Sequence, residues 1–280
     1  AARELGIETV AVYSTADKEA LHTLLADEAV CIGPAKSTES YLNMNAVLSA
    51  AVLTGSEAIH PGFGFLSENS KFATMCEEVG IKFIGPSGSV MDMMGDKINA
   101  RAQMIKAGVP VIPGSDGEVH TAEEALEVAD RIGYPVMLKA SAGGGGKGIR
   151  KVERAEDLVP AFESASTEAK AAFGNGAMYL ERVIYPARHI EVQILADQFG
   201  HVVHLGERDC SLQRNNQKVL EESPSVAIGK TIRDQIGSAA VRAAESVGYE
   251  NAGTIEFLYD EGKGEFYFME MNTRVQVEHP

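Results

Sequence analysis

The sequence between positions 135 and 152 is PVMLKASAGGGGKGIRKV. Its apolar start predicts a strand over Pro135–Ala140, and Ile149–Val152 again favours a strand. A glycine run that contains Lys147 separates the two segments. Two strands joined by glycines and a lysine are the feature on which the interpretation of the fold depends.

Three kinds of loop could explain the glycine run. A P-loop requires Ser or Thr after Gly-Lys, and Gly148 follows Lys147, so that interpretation fails. Gly143, Gly145 and Gly148 match GxGxxG as a string, but a Rossmann loop opens a helix and a strand-like segment follows here. The third is a flexible hairpin whose bare N–H groups close over phosphates, with Lys147 adding charge. An unstructured linker is the alternative without a function.

The residues before this region alternate between strands and helices, which favours a parallel sheet with helices on both faces. Ligands of such sheets usually bind beyond the carboxyl ends of strands, where residues 60–69, HPGFGFLSEN, lie. The predicted strands are Thr9–Tyr13, Ala29–Ile32, Ala58–His60 and Lys82–Ile84, and the predicted helices are Tyr41–Leu53, Ser70–Val79 and Ser87–Met94.

The fold class predicted for the whole chain is α/β plus α+β. Helices over Thr121–Arg131 and Ala155–Ala172 surround the strands near the glycine run and form a small α+β unit. From His189 onward strands dominate, interrupted by a helix over Thr231–Val247. The predicted divisions are 1–94, a linker helix in 95–111, 112–183 and 184–280.

Composition restricts the partners. Lys and Arg number 25 and Asp and Glu 40, so the net charge is 25 − 40 = −15, which disfavours nucleic acid and anionic membranes. The uncharged stretch 40–56 contains enough Asn, Ser and Thr to favour a soluble helix over a membrane span. Cys31, Cys76 and Cys210 fit neither a disulfide framework nor a CxxC metal site, and we expect a cytoplasmic protein.

Two lysines occupy positions where an anion would explain them. Lys139 ends an apolar strand directly before the glycine run. Lys97 lies at a predicted helix start, where a cation costs stability unless an anion docks on the lysine and the free N–H groups. A solvated surface lysine is the alternative in both cases.

A hairpin near the end of the chain is predicted to oppose two acids. Pairing about Lys263 in Gly262–Gly264 places Glu256 opposite Glu270, with Glu270 and Asn272 on the same face as Phe266 and Phe268. Opposed anions among apolar neighbours require a proton or a cation between them. Two Glu and one Asn suit Mg²⁺ or Mn²⁺. The alternative is an edge hairpin with both acids in water.

The last residues, 272–279, alternate in polarity and would place Arg274, Gln276 and Glu278 on one face. An arginine fork and an amide beside a carboxylate suit a small planar oxyanion, with Glu278 as its general base. An exposed edge strand is the alternative.

These motifs together resemble biotin carboxylase, an ATP-grasp enzyme. The resemblance rests on residues 60–69, 139–148, 207–211 (ERDCS), 217–218 (QK) and 270–280 (EMNTRVQVEHP), and it covers essentially the whole chain. It is closest to the biotin carboxylase subunit of bacterial acetyl-CoA carboxylase. It implies an N-terminal Rossmann-like domain lacking its first strand, an ATP-grasp lid domain, and part of the C-terminal ATP-grasp domain, so that we expect a chain truncated at both ends.

The resemblance also implies the site residues. MgATP would bind between the lid and the C-terminal domain, with metals on Glu256, Glu270 and Asn272, and Glu278 would deprotonate bicarbonate. Nucleotide contacts are implied for Lys97, Lys139, Gly145, Gly146, Glu181, Arg182, Val183, Ile184, His189, Gln213 and Asn216, and bicarbonate contacts for Lys218, Arg274, Gln276 and Val277. Two of these depart from the family: Asn216 stands where some members carry His, and Arg182 where Lys is common.

The implied activity is that of a ligase using ATP and bicarbonate to carboxylate biotin on a biotin carboxyl carrier protein, through carboxyphosphate. A carboxyltransferase component and a homodimer are implied with it, in the first half-reaction of acetyl-CoA carboxylase and fatty acid synthesis. The alternatives are another acyl-CoA or pyruvate carboxylase, a carbamoyl-phosphate synthetase half, and a nucleotide-binding fragment without turnover.

Overall fold

The computed structural model describes residues 1–141, 148–214 and 217–279, without the side chain of Phe173. Within these residues no helix has the length and apolar character needed to cross a bilayer. The helices are α1 Leu21–Leu25, α2 Met44–Leu53, α3 Ser70–Glu78, α4 Gly88–Gly95, α5 Lys97–Lys106, α6 Ala122–Ile132, α7 Leu158–Phe173 and α8 Lys230–Ser246. The strands are β1 Val10–Ser14, β2 Glu28–Gly33, β3 Ala58–Ile59, β4 Lys82–Phe83, β5 Val136–Ala140, β6 Ile149–Val152, β7 Met178–Arg182, β8 Ala187–Ala196, β9 Val202–Arg214, β10 Gln217–Glu222, β11 Asn251–Asp260 and β12 Glu265–Asn272.

The N-terminal strands are parallel, as predicted, but they form two separate pairs, β1–β2 and β3–β4, instead of the expected single sheet. β3 and β4 contribute two residues each because Pro61 and Pro86 follow closely, and proline cannot donate to a strand ladder. A core around Phe72 and Phe83, whose rings meet edge to face at 6.2 Å, packs α2, α3 and α4 on the second pair.

The region around the glycine run is the small α+β unit that the sequence predicts. β5 pairs antiparallel with β6 on one side and β7 on the other, and α6 and α7 bury the apolar face of this sheet. Lys139 pairs with Ile149, so the two strands that flank the glycine run are antiparallel, as the hairpin interpretation requires, and closure over phosphates stays a prediction. The run itself, residues 142–147, lies outside the described residues.

The largest sheet has five antiparallel strands in the order β10-β9-β8-β11-β12. Side chains of a strand alternate between its faces. Ile190, Val192 and Ile194 therefore pack with α8 in the core, while Glu191 and Gln193 point to the opposite face. The polar face of this sheet carries the groups described below.

The β11–β12 hairpin pairs Glu256 with Glu270, as predicted, but the strand register between this pair and the turn differs from the predicted one. The turn begins at Asp260, whose carboxylate accepts the N–H groups of Gly262 and Lys263, and the ladder up to Phe257–Phe268 is offset by one residue from the predicted register. A β-bulge after Glu256 takes up that residue.

The bulge corrects one prediction. Phe266 and Phe268 pack edge to face on Phe257 in the core, at 5.6 and 6.5 Å between ring centroids. Glu270 and Asn272 lie instead with Glu256 on the polar face, because the inserted residue reverses the alternation of β12. The predicted shared face of these four residues is therefore wrong, whereas the opposition of the two acids is confirmed.

We expect Phe257→Ala to lower the free energy of unfolding by about 3–5 kcal/mol, because Phe257 is fully buried against Phe266 and Phe268 and its removal leaves a cavity. Val226→Ala, at a side chain that is 85% exposed, is the control and is expected to change stability by less than about 0.5 kcal/mol. Equilibrium urea unfolding measures both. Equal effects of the two substitutions would contradict the assigned core.

Candidate active site

A cleft of about 340 Å³ lies between α5, the three-stranded sheet and the β11–β12 hairpin. Four residues predicted to bind nucleotide or metal line it together: Lys97, Lys139, Glu181 and Glu270. They come from four elements distant in sequence, so the fold itself brings them to one place. The cleft is the candidate nucleotide site.

Lys139 is held by an acid inside the cleft. Its Nζ lies 2.5 Å from Oε2 of Glu181 and 5.6 Å from the centre of the Tyr179 ring. Burial alone would lower the pKa of the Lys139 ammonium, but the Glu181 carboxylate outweighs burial and raises this pKa. Burial, followed by the Glu181 charge, raises the pKa of Tyr179 to about 12, so its phenol stays neutral. The lysine therefore remains a cation at the mouth of the glycine hairpin.

Lys97 is the first residue of α5, as predicted, and its side chain is exposed to the cleft. The expectation that free N–H groups of this helix attract an anion is not met. The carboxylate of Asp96 caps the helix and accepts from the N–H groups of Ile98 and Asn99. An anion at this position would thus be attracted by the Lys97 ammonium and not by these two amides.

Glu256 is a buried carboxylate surrounded by donors. Its Oε1 accepts from Nζ of Lys218 at 3.1 Å and from Nδ2 of Asn272 at 2.7 Å, and its Oε2 lies 2.8 Å from Nε2 of His189. Gln213 donates to Nδ1 of His189, while Nε2 of His189 faces Glu256 at this distance without forming a well-aligned hydrogen bond. Burial raises the pKa of Glu256, but His189, Lys218 and Asn272 outweigh burial and lower this pKa to about 2.

Glu270, the acid opposite Glu256, lies in a different electrostatic environment. Among the residues that the structure describes, none donates a hydrogen bond to its carboxylate. Partial desolvation in the cleft, followed by the charge of Glu256, raises the pKa of Glu270, although the nearby Lys97, His189 and Lys218 act in the opposite direction. One acid of the pair is thus compensated by the protein and the other is not.

The donors present fit a hard divalent cation. Glu256 and Glu270 offer facing carboxylates, and Asn272 donates its Nδ2 to Glu256, which leaves its Oδ1 as a further oxygen ligand. His189, Glu191 and Glu256 also lie within ligand distance of one another. However, both oxygens of Glu191 are already held by Arg208 and Lys218, so neither is free to bind a metal. The predicted set with Glu270 is therefore the better candidate.

Lys218 connects the acids of the polar face. Its Nζ is hydrogen-bonded to Glu191 and Glu256 and lies 3.6 Å from the carboxylate of Glu278. Burial lowers the pKa of Lys218, but Glu191 and Glu256 outweigh burial and raise this pKa above its ordinary value. Gln276 is buried on the same face and accepts a hydrogen bond from Arg208. Lys218, Gln276 and Glu278 thus lie on one connected set of polar side chains.

Arg274 is placed elsewhere. Its Nε donates to Oε2 of Glu68 at 3.1 Å, and Glu68 also accepts from the N–H of Thr273. Both Arg274 and Thr273 line a small cavity of about 110 Å³ beside His60 and Gly62, in the motif that the sequence placed at a strand end. The structure therefore brings Arg274 to the HPGFGFLSEN motif, not into contact with Lys218 or Glu278.

The predicted hinge residues lie at the end of β7. Arg182 donates to the Tyr267 hydroxyl, the N–H of Val183 donates to the carbonyl of Pro135, and Ile184 is buried with Ile112 and Tyr267. Val277 is exposed at 65%. Gly145, Gly146 and Asn216 lie outside the described residues.

Sequence reasoning missed three polar groups that the structure connects to the site: Glu68, Glu191 and Arg208. Glu68 holds Arg274, and Glu191 pairs with Arg208 and Lys218. For Glu191 and Arg208 the available indication was a charged residue inside an apolar strand, since a charge in such a position is almost always paired. Glu68 lies in a turn and gave no such indication.

Two family models match the chain. "Biotin carboxylase, N-terminal domain" matches residues 1–91, and "Carbamoyl-phosphate synthase L chain, ATP binding domain" matches residues 96–280. Biotin carboxylase 1 of Bacillus subtilis is 58% identical over 280 residues, which are 100% of this chain and 62% of that protein. The chain thus spans less than two thirds of the length of this relative.

Solved structures agree with these matches. A biotin carboxylase–βγ-ATP complex from Campylobacter jejuni has a TM-score of 0.90 at 53% identity, over 99% of this chain and 62% of that one. The biotin carboxylase domain dimer of 2-oxoglutarate carboxylase from Hydrogenobacter thermophilus, in complex with MgADP, ADP and bicarbonate, has a TM-score of 0.87 at 52% identity, over 100% and 61%.

The fold is therefore that of an ATP-grasp protein with an N-terminal α/β domain, as predicted from the sequence. The chain belongs to the biotin carboxylase family, which confirms the resemblance on which the predicted site residues rest. The role of each site residue remains a prediction.

The facing acids lead to opposite effects on stability. In metal-free buffer near about pH 7 we expect Glu256→Gln to lower the free energy of unfolding by about 1–3 kcal/mol and Glu270→Gln to raise it. The folded-state pKa of Glu256 lies below its ordinary value of 4.5, so its stabilisation is present above that pH and is lost as the pH falls toward about 2. The pKa of Glu270 is raised, so its ionised form destabilises the fold at neutral pH.

Urea unfolding of both variants at several pH values measures this difference, and each substitution is the matched control for the other. The Glu256→Gln deficit should shrink as the pH falls below about 4. A change of the same sign for both variants at neutral pH would contradict the assigned asymmetry.

Proposed function

We propose that this chain forms the nucleotide- and bicarbonate-binding part of a biotin carboxylase, an ATP-dependent ligase that carboxylates biotin. The observation that carries the proposal is that Lys139 and Glu270, one acid of the opposed pair, line the same cleft. The lysine can bind phosphate, the acid can bind a metal, and the chain belongs to a family with this activity. The nucleotide and bicarbonate bound in the Hydrogenobacter relative support the same ligands here.

For the nucleotide, Lys97 and Lys139 are proposed to contact phosphates. Lys139 would then exchange its partner, the Glu181 carboxylate, for a phosphate oxygen. The glycine hairpin with Gly145 and Gly146 would cover the phosphates. Glu181, Arg182, Val183 and Ile184 would border the base, with His189, Gln213 and Asn216 nearby.

Glu256, Glu270 and Asn272 would hold Mg²⁺ or Mn²⁺, because they offer two facing carboxylates and an amide oxygen. A bound divalent ion supplies positive charge that offsets the charge on the phosphates during transfer. The part played by the protein is to hold the two carboxylates in register across the hairpin and to keep Glu256 ionised.

For bicarbonate, Lys218, Gln276 and the neighbouring Val277 are proposed as the binding groups, with Glu278 as the base. Glu278 would take the proton, and the bicarbonate oxygen would attack the γ-phosphorus and release ADP. The resulting carboxyphosphate would split into CO₂ and phosphate, and the phosphate would take the N1′ proton of biotin. The biotin enolate would then capture CO₂. Arg274, now on Glu68, would have to leave that partner to reach bicarbonate.

The biological setting is a narrower proposal. We place the chain in the first half-reaction of acetyl-CoA carboxylase, with biotin on a biotin carboxyl carrier protein, a carboxyltransferase component and a homodimer. The 58% identity to Biotin carboxylase 1 of Bacillus subtilis supports the biotin carboxylase part of this proposal, and the Hydrogenobacter domain dimer supports the homodimer. That domain is part of a 2-oxoglutarate carboxylase, so the competing assignment is a carboxylase with a different final acceptor of the carboxyl group.

The proposed activity predicts bicarbonate-dependent release of ADP that free biotin stimulates. In the full protein carrying this sequence, coupled ADP release should require both bicarbonate and a divalent ion, and biotin should increase its rate. Stimulation by ammonia in place of biotin would assign the chain to carbamoyl phosphate formation. Nucleotide binding without bicarbonate-dependent release would overturn the ligase proposal.

We expect Glu278→Gln to reduce bicarbonate-dependent ADP release by a factor on the order of 10²–10⁴ while the affinity for MgADP changes little, because the carboxylate acts on bicarbonate and not on nucleotide. Glu221→Gln, at an exposed acid on β10, is the matched control and should behave like the parent protein. Isothermal titration gives the nucleotide affinity. A Glu278→Gln protein that loses nucleotide binding would refute the assignment of the base.

A further inference from the structure

Arg208 of β9 is an arginine whose donors are almost all engaged inside the sheet. It is 6% exposed, and its guanidinium lies on the polar face of the five strands. Its hydrogen-bond acceptors are Glu191 Oε1 at 2.7 Å, Gln193 Oε1 at 3.0 Å, Gln276 Oε1 at 3.1 Å and Thr254 Oγ1 at 3.3 Å. Such a set of partners is costly to assemble, which calls for a reason beyond packing.

The contact with Gln276 has a chemical consequence. A guanidinium can only donate hydrogen bonds, so Gln276 must turn its carbonyl oxygen toward Arg208. The amide nitrogen Nε2 then points away from Arg208. Among the described residues this Nε2 has no hydrogen-bond acceptor, although the Gln276 side chain is only 2% exposed. Arg208 thereby converts an ambiguous amide into a directed donor.

The rest of the network holds Arg208 in place. Glu191 neutralises the guanidinium with one oxygen and bonds Lys218 with the other. Gln193 is fixed in turn, because its Nε2 donates to the carbonyls of Gly253 and Ile194. Arg208 therefore has little freedom to rotate and can impose one orientation on its neighbour.

We propose that Arg208 is a positioning residue of the bicarbonate site: it holds the Gln276 amide so that its N–H₂ group donates to an oxygen of the bound anion. This inference rests on the proposed function. Arg208 itself does not touch the substrate, since the carbonyl half of Gln276 lies between them.

The proposal makes the planar fork, not the positive charge, the essential property of Arg208. A lysine keeps the charge but places its donors around one nitrogen, and it cannot serve four acceptors in one plane. Arg208→Lys therefore frees the Gln276 amide to rotate and to present its oxygen to an anion.

The test compares Arg208→Lys with Arg233→Lys in the full protein. Arg233 pairs with Glu207 at 2.6 Å and donates to the carbonyl of Ser225, on the α8 side of the same sheet and away from the site. We expect Arg208→Lys to raise KM for bicarbonate about tenfold or more while KM for ATP changes less than about twofold. Arg233→Lys should leave both constants unchanged even if it lowers the melting temperature.

A double-mutant cycle separates positioning from general destabilisation. Gln276→Met removes the amide and keeps the shape of the side chain, and it should itself raise KM for bicarbonate. In the Gln276→Met protein, Arg208→Lys should add less than about a twofold further rise, because the group that it orients is gone. Additive effects, or equal changes in both KM values, would overturn the inference.

If the Arg208→Lys protein does not fold, the Gln276→Glu variant is tested in its place. This variant keeps an acceptor for Arg208 and removes the donor to the anion, so it should fold and raise KM for bicarbonate more than Gln276→Met does. A smaller rise would count against the directed donor. The absence of bicarbonate-dependent ADP release in the parent protein would instead refute the proposed function, which keeps the two failures distinct.

Discussion

The site depends on keeping a carboxylate ionised in the middle of a β-sheet. Burying Glu256 costs free energy that only polar partners offset. Lys218 of β10 and Asn272 of β12 donate hydrogen bonds to it, and His189 of β8 lies 2.8 Å away. Those partners are fixed by strand register, because Glu256 pairs with Glu191 on one side and with Glu270 on the other. The same pairing brings Glu270 close to the negative charge of Glu256, which raises the pKa of Glu270. Glu256 therefore stabilises the fold, whereas Glu270 lacks a positively charged partner within the part of the chain that the structure describes.

Alternation along the strands keeps this chemistry apart from the core. On β8, even-numbered residues from Ile190 to Ile194 pack with α8, and Glu191 and Gln193 point to the polar face. On β9 the opposite faces carry Glu207, which pairs with Arg233 of α8, and Arg208. A slip of one residue in any central strand would drive charges into the core, so the charges themselves penalise wrong registers.

Much of this was predictable because it depends on local pattern. Strand and helix positions followed from hydrophobic periodicity, and the pairing of Glu256 with Glu270 followed from the position of a glycine turn. The predicted face of Phe266 and Phe268 was wrong because the β-bulge was not foreseen. The sequence around Met269 does not reveal that Asp260 starts the turn and shifts the register by one residue. The partner of Arg274, Glu68, is 206 residues away, and no periodicity specifies a contact of that range. Arg208 was visible as a charge in a strand, but its four acceptors lie on three other segments and required the tertiary structure.

Electrostatics also reconciles an acidic chain with an anionic ligand. The net charge of −15 opposes the approach of a nucleotide, yet the charged residues lining the cleft are Lys97, Arg101, Lys106 and Lys139 against Asp116, Glu181 and Glu270, or 4 − 3 = +1. Glu181 is paired with Lys139, whereas Glu270 has no hydrogen-bond donor among the described residues and its pKa is raised. A nucleotide alone would have to displace Glu181 from Lys139 and would face the Glu270 carboxylate, whereas a nucleotide that brings a divalent ion gives Glu270 a partner. In the proposed nucleotide site, the charges of the lining side chains would therefore favour the metal complex of the nucleotide over the free anion.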